Sequence, residues 1–127
     1  MALSDQIDQG SAPEAEPAAQ RAELLETLRA LVQKTREEEP GCLAYAFTPD
    51  TVDAGCIQVL EHWKDEASLA AHFEHPNFFA SKEVLGRRGS GASTIAKHRV
   101  DLSEPVRDGE RRYRADFFTA RAPEDAQ

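Results

Sequence analysis

One amphipathic helix that ends on Pro-Gly and feeds directly into two β-prone runs limits the fold of this chain more than any other feature. From about Ala18 the larger apolar groups recur at Leu24, Leu25, Leu28, Leu31 and Val32, with Thr35 on the same line. That is the i, i+1, i+4, i+7, i+8 spacing of a single helical face. Pro17 suits the first turn, where its missing N–H is not needed, and Arg21 and Glu23 fall on the water side. At "EEEPGC" the helix must stop, because Pro40 disfavours helical geometry in the residue before it and Gly41 permits a left-handed turn.

The runs that follow, "CLAYAF" and "GCIQVLEHW", are joined by "TPDTVDA", whose Pro49, Asp50 and Asp53 favour a turn, so together they predict a hairpin. Alternation groups Leu43, Tyr45 and Phe47 on one face of the first strand. On the second it sets Ile57, Val59, Glu61 and Trp63 against Cys56, Gln58, Leu60 and His62. Apolar groups on both faces predict that both are covered, one by helices and the other by a partner subunit. Asp65 reads as the N-cap of "EASLAAHF", with Leu69 and Phe73 inward, and "HPNFFASKEVL" as a short helix from near Pro76. "GRRGSGAS" is a loop whose glycines fit neither the phosphate-loop spacing nor the dinucleotide fingerprint. Beyond it, "STIAKHRVDL" reads as a strand, "SEPVRDGE" as a turn with Asp108-Gly109 at its tip, and "RRYRADFFTA" as another strand.

Residues 1–17 hold only Leu3 and Ile7 as larger apolar groups and predict a mobile tail, because so little apolar surface does not offset the entropy of ordering. A single domain is expected over 18–121, followed by a short tail at 122–127, and a length of 127 residues suits one core. The net charge of −8 argues against nucleic acid or an anionic membrane as partner. No apolar run approaches the roughly 20 residues of a membrane span, and "MALSDQIDQG" lacks the regions of a signal peptide, so a cytoplasmic location is expected. Cys42 and Cys56 are too few for a disulfide framework.

The stretch "LLETLRALVQKTREEEPGCLAYAF", followed after the hairpin turn by "VLEHWKDEASLAAHFEHPNFFASKEVL", resembles the antibiotic biosynthesis monooxygenase family. The resemblance runs from about Glu23 to Leu85 and rests on Glu39-Pro40-Gly41-Cys42 with Tyr45, on Glu61 and Trp63, and on the helix carrying His72 before "HPNFF". It implies a ferredoxin-like α+β fold, an antiparallel sheet with helices on one face that forms a dimeric α+β barrel. It also implies a pocket between sheet and helices, and often cofactor-free oxygenation of phenolic or quinol substrates. Two departures bear on chemistry: Asn77 precedes Phe78 where the family commonly has histidine, and the tryptophan and later histidine of haem-degrading relatives fall on His72 and Lys82. A third bears on the fold, since the family begins with a strand and "ALSDQIDQGS" is a poor one. In the fold so implied that first strand is central, and "RRYRADFFTARA" has the composition to replace it, in its own chain or in a partner; the alternative is an extra edge strand beside a conventional, poorly signalled first strand.

Cofactor-free oxygenation needs a general base, hydrogen bonds for a phenolate or enolate oxygen, and a dry aromatic cavity. His72 is the expected base, near the face set by Leu69 and Phe73 and matching the family's helix histidine; its alternative role is a structural histidine bridging helix and sheet. Trp63 and Asn77 join it as catalytic candidates, Asn77 either as an oxyanion donor or as a local cap. Tyr45, Phe47, Phe73, Phe78, Tyr113 and Phe117 are the candidates for lining the substrate pocket. A metal held by His72, His75 and Glu61 or its neighbours is disfavoured by Pro76 directly after His75. The expected protein is thus a homodimeric monooxygenase that uses O2 and no cofactor on an aromatic polyketide, an anthrone or a quinol. The alternatives are a dimer that only binds a small aromatic ligand, and an isomerase or cyclase using the same base.

Overall fold

The computed structural model describes residues 2–8, 17–87 and 93–119. Along the chain run β1 (Ala2–Asp8), α1 (Pro17–Glu38), β2 (Cys42–Pro49), β3 (Cys56–Trp63), α2 (Glu66–Phe73), α3 (Pro76–Arg87) and β4 (Ser93–His98). The four strands form one antiparallel sheet in the order β2-β3-β1-β4. The α+β fold with helices against an antiparallel sheet is the expected one.

The central strand is where expectation and structure part. Ala2–Asp8 pairs with β3 from Ala2↔His62 to Asp8↔Cys56 and with β4 from Ala2↔His98 to Ile7↔Ser93. The segment read as a poor strand within a tail therefore fills the central slot itself. Residues 110–119 form no ladder strand; their one pairing is an isolated bridge between Arg107 and Tyr113 around the expected Asp108-Gly109 turn. The replacement of a missing first strand by the C-terminal segment is thereby overturned. The physical reason is that a strand with a partner on each side gains two hydrogen-bond ladders, which outweigh the low β propensity of Asp and Gln. Of the two expected tails, residue 1, residues 9–16 and the whole of 122–127 lie outside the described residues, as do 120–121 and 88–92.

Helix α1 turns the predicted stripe to the sheet: Leu24, Leu28 and Thr35 are buried, with Leu25 and Leu31 half-buried beside them. Leu24 and Leu28 pack on Ile57 and Val59 of β3 and on Val84 of α3. Each such side chain, fully buried, stabilises the fold by roughly 1.5–3 kcal/mol. A second cluster joins Tyr45, Trp63 and Leu69 at the other end of the sheet. Arg21 does not simply face water: its Nη1 donates to the carbonyls of Asp50, Asp53 and Cys56, tying the start of α1 to the β2–β3 turn.

Gly41 is required for a different reason from the one its place after Pro40 suggests. A Cβ there would lie 2.1 Å from Ser68 Oγ and 2.2 Å from Ser68 Cβ, so the need is close approach to α2. Ser68 in turn is fixed by its N–H donating to the N-cap Asp65. Leu43 also departs from the predicted face. The pairing runs from Cys42↔Trp63 to Ala44↔His62, so Leu43 is the extra residue of a bulge and is 58% exposed, while Tyr45 and Phe47 keep the helix side. Leu60, opposite Ala46 on the face away from the helices, is 52% exposed.

Candidate functional site: a buried histidine between two glutamates

Under the helices, where α1 ends and α2 gives way to α3, the interior is polar. Glu39, Glu61, His72, Asn77 and Ser81 are all buried, and so is Thr35. The chain concentrates them there because the Pro40-Gly41 stop drops Glu39 into the space below α2, while Glu61 lies in the inward row of β3 between Val59 and Trp63. His72, in the last turn of α2, is 1% exposed.

Most of these polar groups have definite partners, and two buried atoms, Thr35 Oγ1 and His72 Nε2, have none. His72 Nδ1 lies 2.7 Å from Glu39 Oε1. The other oxygen of Glu39 accepts from Asn77 Nδ2 at 3.1 Å, and the same amide reaches Glu38 Oε1 at 3.4 Å. Trp63 Nε1 donates to Glu61 Oε1 at 3.0 Å. His72 Nε2 is 3.8 Å from that Glu61 oxygen, beyond hydrogen-bond reach, and is buried without a hydrogen-bond partner. His75, half-buried, accepts through Nδ1 from the backbone N–H of Asn77. The Tyr45 hydroxyl bonds Ser81, whose own Oγ donates to the carbonyl of Asn77.

Aromatic rings surround the imidazole. Trp63 stacks over it at 4.5 Å between centroids, with Tyr45 at 5.4 Å, Phe78 at 5.4 Å and Phe73 at 6.0 Å. This low-polarity shell shifts the acids within it. Burial first, then the Glu61 carboxylate, push the Tyr45 phenol well above its ordinary range, and the Ser81 hydrogen bond draws it only partly back. Burial, then Glu39 and Glu61, likewise raise the Cys42 thiol against the opposing pull of Arg36.

Of the residues expected from sequence, His72, Trp63, Asn77, Tyr45, Phe73 and Phe78 converge here, and Phe47 packs against Tyr45 at 5.5 Å. Tyr113 and Phe117 do not join them: Tyr113 is 80% exposed beneath the Arg107 guanidinium, and Phe117 is also exposed. Asn77, read as an oxyanion donor or a cap, spends its amide on two glutamates. Glu39, read only as a helix-end marker, is the residue that sequence reasoning missed. Its signal was an acidic side chain placed directly before Pro-Gly, where a helix end already offers carbonyls and gains nothing from another negative charge.

Two cavities flank the cluster. One of about 140 Å3 lies against Glu39, Pro40, Gly41, Trp63, Ser68 and His75. A larger open groove of about 540 Å3 runs between α1 and β2, with Leu25, Leu28, Val32 and Phe47 as its apolar part and Arg29 and Arg36 among its polar groups. Among the described residues no set of three or more His, Cys, Asp or Glu side chains is placed to hold a metal ion. No helix among them is long and apolar enough to cross a membrane.

The four-stranded order and one-sided helices define the class, a ferredoxin-like α+β domain. Residues 16–83 match the family model of the antibiotic biosynthesis monooxygenases, and the chain belongs to that family. A crystal structure from Caulobacter crescentus, provisionally named an antibiotic biosynthesis monooxygenase, is 26% identical with a TM-score of 0.63, covering 75% of this chain and 83% of that one. One from Deinococcus radiodurans, named in the same way, is 23% identical with a TM-score of 0.65 over 85% of this chain and all of its own, and supports the fold alone. A third, an antibiotic biosynthesis monooxygenase, is 28% identical with a TM-score of 0.61 over 79% of this chain and 98% of that one. The comparison with curated proteins finds no match.

Proposed function

We propose that the chain is a cofactor-independent monooxygenase acting with O2 on a small aromatic substrate of the anthrone, quinol or aromatic-polyketide type. The observation that carries this reading is His72: a buried imidazole held through Nδ1, with Nε2 unpaired inside a shell of aromatic rings. Nε2 takes a proton from the substrate, and the resulting electron-rich anion reduces O2 directly. For an anthrone the balance closes without an external reductant. One oxygen atom converts the ring methylene to a carbonyl, and the other leaves as water with the two hydrogens of that methylene.

Trp63 and Tyr45 shape the floor of the site, with Phe47 behind Tyr45. Phe73 and Phe78, packed at 5.1 Å, separate His72 from solvent on the side where Phe73 and Phe79 are exposed, and substrate enters by displacing them. A homodimer is part of this reading. Leu60 on the bare sheet face, together with the apolar groups exposed beyond β4, offers surface for a second copy. Tyr113 and Phe117 contribute to the pocket, in this reading, only across such a dimer.

A second reading, a dimer that binds a small aromatic molecule without turnover, is favoured by the burial of His72 and by a 540 Å3 groove that His72 does not line. Oxygen uptake with an anthrone and with a hydroquinone separates the two. Uptake that falls at least about 100-fold in His72→Ala is expected for a positioned base. Binding without uptake selects the second reading, and uptake indifferent to His72 removes the assignment of the base. Turnover without oxygen consumption would point to an isomerase or cyclase instead.

A further inference from the structure

We infer that Glu39 is the positioning carboxylate of His72 and that Asn77 fixes Glu39, so that the neutral imidazole carries its proton on Nδ1 and presents its lone pair at Nε2. The inference rests on the reading of His72 as base, and it assigns the two residues that give the base its direction.

Glu39 is buried, and each of its two oxygens has one hydrogen-bond partner: Oε1 faces His72 Nδ1 at 2.7 Å and Oε2 faces Asn77 Nδ2 at 3.1 Å, with His75 Nδ1 beyond hydrogen-bond reach at 3.8 Å. An amide NH2 only donates, so Oε2 is an acceptor. As an ionised carboxylate Glu39 accepts at both oxygens, and its bond to His72 then requires a proton on Nδ1. The neutral ring has one N–H, so Nε2 is left as a lone pair, and Nε2 is the atom without a partner. Asn77 is itself held, since its backbone N–H donates to His75 Nδ1 and its carbonyl accepts from Ser81. The relay therefore starts on rigid α3 and ends on the imidazole. Glu61 is not equivalent to Glu39: its Oε1 receives the Trp63 indole N–H and stands 3.8 Å from Nε2.

The groups facing His72 from the packed elements are Glu39 at the end of α1, Tyr45 on β2, Glu61 on β3 and, more distantly, His75 before α3. None of these supplies a second acceptor to Nδ1. Substituting glutamine at 39 leaves one oxygen and one NH2 where two acceptors are needed. Either His72 must turn its proton to Nε2 and accept at Nδ1, or Asn77 must reverse its amide. Adding Asn77→Asp to Glu39→Gln restores the complement, because an aspartate at 77 accepts the new NH2 and frees the glutamine oxygen for Nδ1–H. Glu38, whose Oε1 accepts from the same amide at 3.4 Å, is exposed, so its carboxylate can turn to water once position 77 no longer donates.

The test is histidine-labelled NMR on the intact chain, reading the tautomer of His72 from its ring nitrogens at mildly alkaline pH. The expected results are the Nδ1–H form in the native protein, its loss in Glu39→Gln, and its return in the Glu39→Gln/Asn77→Asp double variant. A native His72 carrying its proton on Nε2 overturns the inference. So does one protonated on both nitrogens to bridge Glu39 and Glu61, or a Glu39→Gln variant that folds with its tautomer unchanged. If Glu39→Gln fails to fold, the native measurement still decides. Oxygen uptake gives the separate arm. A fall in kcat of at least about 10-fold at unchanged KM in Glu39→Gln, regained in the double variant, is expected of a positioning residue. A correct tautomer pattern with uptake indifferent to His72 leaves the relay standing and removes the oxygenase reading alone.

Discussion

The helix-covered interior and the segment after His98 treat polar and apolar groups in opposite ways. In the interior, charged and polar side chains lie deep and the bonds that tie α1 to α2 and α3 are long-range in sequence: Glu39 meets His72 thirty-three residues on and Asn77 thirty-eight residues on. Beyond β4 the polar ties stay within the segment and are mostly exposed. Asp108 accepts from the backbone of Glu110 and Arg112, Arg114 pairs with Asp116, and Glu104 accepts from the backbone of Phe118 and Thr119. Its apolar groups, Val106, Tyr113 and Phe117 among them, stay exposed. The difference teaches that the first region is specified by tertiary packing and the second by short-range chemistry. A change of one atom should therefore be felt in the first, and a change of many residues tolerated in the second.

The largest effect expected is that of Gly41→Ala. Its Cβ would meet Ser68 at 2.2 Å, an atom next to the backbone that cannot swing aside. Destabilisation of about 3 kcal/mol follows if α2 has to move, measurable by urea denaturation. Near-native stability would show that the contact between the α1–β2 turn and α2 is loose.

Tyr45→Phe comes next. Loss of the hydrogen bond to Ser81 should cost about 1 kcal/mol at neutral pH. Because the folded phenol titrates above its unfolded counterpart, the native state keeps its proton while the unfolded state loses it. Stability from this group is thus present below the ordinary tyrosine pKa and falls as pH rises beyond it, so the variant should lose part of the alkaline limb of the stability curve. An unchanged limb would place Tyr45 in contact with water.

A smaller gain is expected from Thr35→Val. Thr35 is fully buried and its Oγ1 has no hydrogen-bond partner, so replacing the hydroxyl with a methyl of the same shape should stabilise by up to about 1 kcal/mol. A loss instead would reveal a partner for that hydroxyl. Smallest of all is the effect of deleting residues 110–127, for which an unchanged, cooperative urea transition is expected. Collapse of the fold on this truncation would restore a role for the C-terminal segment inside the sheet.

Much of the fold is readable in the sequence, for identifiable reasons. The α1 stripe, the Pro40-Gly41 stop, the hairpin and the Asp65 cap are local signals, and each element forms where its signal lies. The central strand was illegible because a strand flanked on both sides draws its stability from neighbours, which composition does not report. In the site, His72 and the rings around it were legible from helical position and aromatic type. Glu39 and the partners of Asn77 were not, because a hydrogen bond spanning more than thirty residues leaves no periodic trace. Gly41 shows a subtler case, a needed residue whose reason lies in a neighbouring helix and not in its own torsion angle.

The bulge at Leu43 carries a consequence for how the chain can vary. Cys42 pairs with Trp63 and Tyr45 with Glu61, so two residues of opposite parity share one side of β2. Insertions and deletions in a strand normally invert everything beyond them. Here a single added residue, placed next to the turn, resets the phase so that Cys42 and the Glu39 turn meet α2 while Tyr45 and Phe47 still meet the core. Position 43 is therefore the one place in β2 where a change of length, and not of side chain, decides which residues the interior receives.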